Sequence, residues 1–181
     1  MLAIVKAPNP ILSEKARPVK KIDKGILRLI AQMKECLDSA TDPIGVGLAA
    51  PQIGKNLQIF IAKPSLKSPV SVFINPRIIK RITSKSKSKH SKTKKLEGCL
   101  SLPNIWGEVN RYSEIIIEYL DETGKVHKKK LAGFISTIVQ HEVDHLNGVL
   151  FPKKVLEQKG TMYKSEKNEK GEDVFDELEL V

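Results

Sequence analysis

Hydrophobic residues recur at helical spacing in two parts of the chain. In residues 22–39 they follow the three- and four-residue period of a single helix face. These residues are Ile26, Leu27, Ile30, Met33 and Leu37. Residues 133–148 form the second stretch, and its first half is almost entirely apolar. We therefore expect an amphipathic first helix and a central, buried second helix that ends near Gly148.

Four further segments have the composition of strands. Residues 57–62 and 71–79 are rich in β-branched and aromatic residues, and residues 113–133 contain two such runs around a D-E-T-G turn. Antiparallel strands packed around a central buried helix define an α+β fold. A length of 181 residues is typical of one domain, so we expect a single domain over residues 1–181.

Charge is distributed unevenly along the chain, whose net charge is +10. Residues 80–95 contain eight Lys or Arg and no acid, whereas residues 171–180 contain five acids. The basic run lacks aromatic side chains that could stack on bases, so it predicts a solvated loop and no sequence-specific nucleic-acid binding. We expect at most a weak electrostatic contact with the ribosome. Residues 153–181 are interpreted as a charged C-terminal tail.

The chain shows no membrane or export signal. No apolar run approaches the roughly 20 residues that span a bilayer, and the first ten residues lack the apolar core of a secretory signal. The two cysteines, Cys36 and Cys99, are too few for a disulfide scaffold. These features favour a cytoplasmic protein that does not contact membranes.

The second predicted helix contains HEVDH at residues 141–145. Residues four apart lie on one helix face, so His141 and His145 can bind one metal ion, with Glu142 near enough to act as a general base. A catalytic site of this kind needs a third protein ligand. Glu157 is the first acid downstream, in a lysine-flanked stretch past a proline, whereas Cys99 offers a thiolate beside Gly98.

A third stretch, GVGLAAPQIG at residues 45–54, overlaps the dinucleotide-binding fingerprint. No predicted strand precedes it, and Pro51 disfavours the helix that such a fingerprint needs. Gly45 and Gly47 instead suggest a backbone with which a ligand can pair. The amide of Gln52 can donate a hydrogen bond to a developing oxyanion.

Three motifs, taken in order, resemble those of the peptide deformylase family. They are G-x-G-x-A-A-x-Q at residues 45–52, E-G-C-L-S at residues 97–101 and H-E-x-D-H at residues 141–145. The segment PNPILSEKARPV near the start is also similar to the N-terminal segment of the family. The resemblance extends to about residue 152.

The resemblance implies a metal-dependent hydrolase that removes the formyl group from the N-terminal formyl-methionine of nascent polypeptides. Its metal ligands would be Cys99, His141 and His145. The resemblance implies one divalent ion, Fe²⁺ in the cell, with Zn²⁺, Ni²⁺ or Co²⁺ also able to occupy the site. Glu142 would be the general base, while the Gln52 amide and the Leu100 backbone N–H would stabilise the oxyanion.

The resemblance also assigns residues that hold the substrate or orient the ligands. Gly45, Val46 and Gly47 would pair with the peptide backbone, and Ile138 would line the pocket for the methionine side chain together with His141. A charged set would orient the metal ligands: Glu97, Arg111 and Asp144.

Two features depart from the family pattern. The basic run before Glu97 looks like an insertion relative to shorter members. Trp106 stands where some members have an arginine that helps to hold substrate, and we expect it to line the entrance of the site.

Two other functions fit parts of the sequence. A metallopeptidase with the same H-E-x-x-H motif would cleave internal peptide bonds and would not depend on Cys99. A basic ribosome- or RNA-associated factor with a degenerate site would bind through its lysines and catalyse nothing.

Overall fold

The computed structural model describes residues 2–41, 43–83 and 96–179. Within these ranges the chain forms three α-helices, α1 (Lys24–Asp38), α2 (Phe134–Leu146) and α3 (Phe151–Glu157). The same ranges contain nine strands: β1 (Gly47–Ala49), β2 (Ile59–Ala62), β3 (Ser71–Ile82), β4 (Leu96–Cys99), β5 (Leu102–Glu108), β6 (Glu114–Leu120), β7 (Val126–Ala132), β8 (Met162–Lys167) and β9 (Asp173–Glu177). Short 3₁₀ turns span Pro10–Ser13 and Ala50–Ile53.

The strands form two antiparallel sheets. The first has the order β1-β2-β3-β6-β7, and the second has the order β4-β5-β8-β9. The predicted strands at residues 57–62, 71–79 and 113–133 correspond to β2, β3 and the hairpin of β6 and β7. The expected α+β class, with antiparallel strands around the helix that contains HEVDH, is confirmed.

Helix α2 packs against the first sheet. Ile138 and Val139 are buried in a cluster with Phe60, Ile115 and Ile117 from that sheet. The first turn is less buried than the sequence predicts, since Phe134 is 57% exposed. Gly148 follows the helix with φ of 69°, a left-handed conformation that suits a helix end. None of the described helices combines the length and apolar character needed to cross a membrane.

Helix α1 forms where the hydrophobic spacing predicts it. The Asp23 side chain accepts a hydrogen bond from the Ile26 N–H and caps the helix start. The buried face of the helix packs against β1 and β2 and consists of Leu29, Ile30, Met33, Cys36 and Leu37. Leu27, predicted on that face, is 44% exposed.

The predicted loop at residues 80–95 begins too early. Residues 80–82 belong to β3, where Lys80, Arg81 and Ile82 pair with β6. The strand persists because β6 continues beside it and supplies hydrogen-bond partners, which composition alone does not reveal. The remainder of that prediction, residues 84–95, lies outside the described residues.

The C-terminal region contains more regular structure than the charged tail that the sequence suggests for residues 153–181. Helix α3 covers residues up to Glu157, and β8 and β9 form a hairpin that extends the second sheet. Asn168 shapes the turn of this hairpin, because its carboxamide oxygen accepts hydrogen bonds from the N–H groups of Lys170 and Glu172.

Candidate active site

Cys99, His141 and His145 meet at one point between the two sheets. Their ligand atoms lie within 4.8 Å of one another, and Cys99 Sγ is 3.2 Å from His145 Nε2. The two imidazoles are edge to face, with ring centroids 4.9 Å apart. Cys99 is therefore the residue that joins the histidines, while Glu157 lies at the end of α3 and pairs with Lys154.

Backbone geometry brings the cysteine to the helix. Cys99 ends β4, and the pairing of β4 with β5 shifts register between Gly98 and Cys99, an irregularity of the kind that re-aims a side chain next to an active site. Helix α2 places His141 and His145 one turn apart, as the spacing predicts. Three protein donors from two separate elements thus converge without any contribution from the C-terminal hairpin.

The donor set fits a divalent metal ion. One sulfur and two imidazole nitrogens suit borderline ions such as Fe²⁺ and Zn²⁺, and three protein ligands leave a coordination position for a reactant. His145 Nδ1 is buried without a hydrogen-bond partner among the described residues. Burial lowers the pKa of His145, and positive charge at His141 and Arg111 lowers it further. The neutral ring keeps a lone pair for a metal.

A buried ion network supports one of the histidines. Glu97 receives two hydrogen bonds from Arg111, at 2.7 and 2.9 Å, and lies 3.1 Å from His141 Nδ1. Arg111 also pairs with Asp144 on α2. Burial alone would raise the pKa of Glu97, but hydrogen bonds from Arg111 and His141 lower it to about 2. The carboxylate stays charged and fixes the His141 ring with Nε2 turned away from it.

Glu142 is the acid of the site and is only 3% exposed. Its Oε2 atom is buried without a hydrogen-bond partner among the described residues. A Cβ added at Gly47 would collide with Oε1 of Glu142, so a glycine is needed there. Burial raises the pKa of Glu142 to about 7; positive charge at His141 and Arg111 opposes this rise, and Glu97 adds to it. A carboxyl of this pKa can both accept and donate a proton near neutrality.

Gln52 points its amide nitrogen at the cluster. Its Oε1 accepts the Ala49 N–H at 2.8 Å, which fixes Nε2 on the other side. That nitrogen lies 3.5 Å from Cys99 Sγ and 3.3 Å from Ser101 Oγ. Gln52 is 2% exposed, so the donor is held in a water-poor setting. This geometry suits a group that stabilises a developing negative charge.

A groove of about 950 Å³ opens over these groups. Its lining includes all the residues that the sequence assigns to substrate binding and to the oxyanion: Gly45, Val46, Gly47, Gln52, Leu100, Trp106 and Ile138. Strand β1 is the edge of the first sheet, and the Val46 carbonyl accepts the Lys63 N–H on its inner side. By strand alternation, the N–H and C=O of Gly47 face the groove.

Sequence reasoning missed two residues that touch the catalytic motifs. Ser101 is fully buried and accepts a hydrogen bond from the Gln52 amide. It lies in the E-G-C-L-S motif, which was the signal available for it. Lys6 donates a hydrogen bond to the Leu100 carbonyl at 2.6 Å. No local pattern links residues so far apart in the chain.

Comparison with known proteins gives a consistent result. A family model described as polypeptide deformylase matches residues 1–161. The peptide deformylase of Mesorhizobium japonicum is 38% identical over 147 residues, which cover 80% of this chain and 78% of that protein. The peptide deformylase of Symbiobacterium thermophilum is 36% identical over 173 residues, which cover 95% of this chain and 75% of that protein.

Solved structures agree with the sequence matches. The crystal structure of peptide deformylase from Thermus thermophilus superposes with a TM-score of 0.76 at 38% identity and covers 88% of both chains. The enzyme from Thermotoga maritima gives a TM-score of 0.72 at 31% identity, covering 85% of this chain and 97% of that one. The family match ends immediately before β8.

Proposed function

The chain belongs to the polypeptide deformylase family, and from this premise we propose how its own residues remove the formyl group from the N-terminal formyl-methionine of nascent polypeptides. The observation that carries the proposal is the convergence of Cys99, His141 and His145 beside the buried carboxyl of Glu142. The products are formate and a free amino terminus.

Cys99, His141 and His145 would hold one divalent ion. Bound there, the ion supplies Lewis-acid activation of water and of the formyl carbonyl. The thiolate and imidazoles suit Fe²⁺, Zn²⁺, Ni²⁺ or Co²⁺, and the family resemblance favours Fe²⁺ in the cell. Glu97, Arg111 and Asp144 act on the ligands by fixing the ring of His141 and the start of β4 relative to α2.

Glu142 moves the protons of the reaction. Its carboxylate takes a proton from the water that attacks the formyl carbon. The resulting carboxylic acid then donates that proton to the departing amine, so that the C–N bond breaks to a neutral leaving group. Burial raises the pKa of Glu142, which supports the second half of this cycle because a carboxyl held away from water can keep the proton until the amine departs.

Gln52 and Leu100 stabilise the negative charge on the former carbonyl oxygen. The Gln52 amide is already oriented by its bond to the Ala49 N–H, so little reorganisation is needed as charge develops. The Leu100 backbone N–H comes from the turn after Cys99, and Lys6 restrains that turn through the Leu100 carbonyl.

The substrate backbone adds to the free edge of β1. Gly45, Val46 and Gly47 provide the edge, and the lack of a side chain at Gly47 lets the peptide approach Glu142. The methionine side chain enters the part of the groove lined by Ile138 and His141. Trp106 lines the same groove, which supports its assignment to the entrance of the site.

The cellular setting follows from the substrate. Formylated chain starts are present where proteins are made, which favours the cytoplasm and contact with translating ribosomes. The net charge of +10 supports a weak, salt-sensitive attraction to ribosomal RNA.

Formate release tests the proposed activity. The metal-loaded protein, supplied with ferrous or nickel ion, should release formate from formyl-Met-Ala-Ser and leave internal peptide bonds intact. Cleavage of internal bonds without formate would favour a metallopeptidase, and ribosome binding without either product would favour a binding factor. Both results would contradict the proposal.

A further inference from the structure

The C-terminal hairpin of β8 and β9 forms a second wall beside the active site. A cavity of about 720 Å³ adjoins the main groove and shares Ile44, Cys99 and Trp106 with it. Residues 164–167 and Asp173 of the hairpin also line it. The hairpin therefore bounds a cavity that reaches Cys99, although it provides none of the metal ligands.

Trp106 is held from three directions at the junction of the two cavities. Its ring lies over Gly98, where an added Cβ would come within 2.8 Å of the indole. Its Nε1–H donates to Ser165 Oγ at 3.0 Å, and Ser165 is 7% exposed. Phe175 contacts it edge to face, with centroids 5.7 Å apart and planes at 86°. Gly98 immediately precedes the ligand Cys99, so the indole is fixed close to the reaction.

Ser165 and Phe175 act from one face of the hairpin. They are directly opposite each other in the register of β8 and β9. Cross-strand partners project to the same side of a sheet, so the hydroxyl and the phenyl ring hold the indole together. The residue before Phe175 in β9, Val174, projects to the other face by strand alternation.

The charges on both faces of the hairpin are arranged in pairs. On the face that Ser165 and Phe175 share, Lys167 lies 2.8 Å from Asp173; on the other face of the hairpin, Lys164 lies 2.6 Å from Glu166. Each pair has no net charge, so the wall exerts no net electrostatic attraction on acidic or basic peptides. Contact with the flat apolar indole is independent of peptide charge, which suits an enzyme whose substrates differ after the methionine.

We propose that Ser165 and Phe175 are positioning residues, which fix Trp106 as the wall that holds the peptide residues following formyl-methionine. This inference rests on the proposed function, because it requires a formylated peptide in the groove. It assigns the hairpin a part in substrate affinity. The hairpin takes no part in bond breaking, because neither residue reaches the metal ligands or Glu142.

Steady-state kinetics with peptides of two lengths tests the proposal. In the metal-loaded enzyme, Ser165→Ala and Phe175→Leu should each raise KM for formyl-Met-Ala-Ser by about fivefold, the effect of losing one hydrogen bond or ring contact, with kcat nearly unchanged. The effect should be smaller for formyl-Met-Ala, which has fewer residues to reach Trp106. Trp106→Ala removes the indole itself and should therefore give the largest rise in KM.

Two variants serve as matched controls. Val174→Ala removes an exposed side chain from the opposite face of the same hairpin and should keep the wild-type KM. Ser165→Thr retains the hydroxyl and should restore KM to within about twofold of wild type. A fall in kcat alone, or an equal rise in KM for both peptides, would overturn the proposal by showing a general effect on the enzyme.

Intrinsic fluorescence provides a readout that does not depend on activity. Trp106 is the only tryptophan of the chain, so its emission reports directly on the hairpin contact. Acrylamide quenching should rise in Ser165→Ala and Phe175→Leu and stay at the wild-type value in Val174→Ala. Thermal melting of each variant would check that all the proteins compared are folded.

The two readouts separate the failure of this inference from the failure of the proposed function. If wild type releases formate but Ser165→Ala and Phe175→Leu keep its KM and quenching, the positioning role is wrong and the deformylase activity stands. If wild type releases no formate, the proposed function fails and the peptide-holding role fails with it.

Discussion

At the scale of single residues, the site depends on the carboxyl group of Glu142 and on a glycine, Gly47, that leaves room for it. Glu142 is held out of water against Gly47 at the edge of β1, which raises its pKa to about 7. The sequence predicts Glu142 as the base from the H-E-x-x-H spacing. It could not predict that Gly47 makes room for it, because that contact joins residues far apart in the chain.

Replacing Glu142 separates proton transfer from metal binding. Glu142→Gln keeps the shape of the side chain but cannot accept a proton, so kcat for formate release should fall by about 10²- to 10⁴-fold. Its metal content should equal that of wild type, because Glu142 is not among the three converging ligands. Wild-type turnover in a metal-loaded Glu142→Gln protein would exclude the role of general base.

Gly47→Ala tests the close packing at the edge strand. The added methyl would meet the Glu142 carboxyl and Ile138, so Glu142 must move. We expect kcat/KM to fall by at least about tenfold, since misplacing a reacting group by about 1 Å can cost 10²-fold in rate. Kinetics on the folded, metal-loaded variant would check this, and unchanged kcat/KM would mean that the contact has no catalytic consequence.

At the scale of elements, local sequence patterns predict the helices and strands whose formation does not depend on tertiary pairing. Helices α1 and α2 and the strands β2, β3, β6 and β7 follow from hydrophobic period and turn residues. The hairpin of β8 and β9 does not, because MYKSEK and DVFDE have few apolar residues. Its pairing depends on β5 and on the turn at Asn168, and only the turn leaves a trace in the sequence.

Arg111 ties β4 to α2, and its loss should affect both stability and metal binding. Arg111→Met would leave the buried carboxylate of Glu97 and the partly buried carboxylate of Asp144 without their cation, at a cost of about 3–5 kcal/mol in the free energy of unfolding. Metal affinity should fall by about 10- to 100-fold, because Glu97 would no longer fix His141.

Arg77→Met is the matched control for that change. Arg77 pairs with Glu118 on the sheet surface and is 74% exposed, so its loss should cost about 1 kcal/mol or less. Denaturant unfolding and a competition assay for metal would compare the two variants. Equal effects on stability, or unchanged metal affinity in Arg111→Met, would show that the network does not support the site.

The hairpin of β6 and β7 makes a pH-dependent contribution through the D-E-T-G turn. Asp121 accepts hydrogen bonds from Thr123 and Lys125 and contacts His127, and the Thr123 side chain is the largest cause of its lowered pKa. A depressed folded pKa stabilises the fold above the unfolded value of about 3.9, and this stability is lost as the pH falls through the folded pKa.

Thermal melting across pH would detect this contribution. The difference in Tm between wild type and Asp121→Asn should be present at pH 6 and should shrink below about pH 4, where the carboxylate of the unfolded state begins to be protonated while that of the folded state stays charged. A difference that stays constant down to pH 2 would mean that the charge of Asp121 is not what stabilises the turn.

At the scale of the whole molecule, the site exists because segments remote in sequence converge between the two sheets. Residues near the N-terminus join two of these segments. The Val5 N–H donates to the Gln52 carbonyl, and the Ala7 N–H donates to the Ser101 carbonyl. The three motifs predict which residues take part. The charged set of Glu97, Arg111 and Asp144 is expected from the family resemblance. The N-terminal link and the hairpin behind Trp106 are not, because each depends on tertiary contacts that no motif contains.

The dependence of formate release on Cys99 tests most directly whether this convergence is the catalytic centre. Formate release from formyl-Met-Ala-Ser should be measured for wild type, Cys99→Ala and Cys36→Ala, each incubated with the same divalent ion. Both cysteines are buried and free, but Cys36 packs in the core against α1 and β1 neighbours, away from the histidines. Cys99→Ala should lose activity by at least about 10²-fold, because one of three metal ligands is gone, while Cys36→Ala retains it. Activity that survives Cys99→Ala would contradict the assignment of the third ligand and with it the proposed centre.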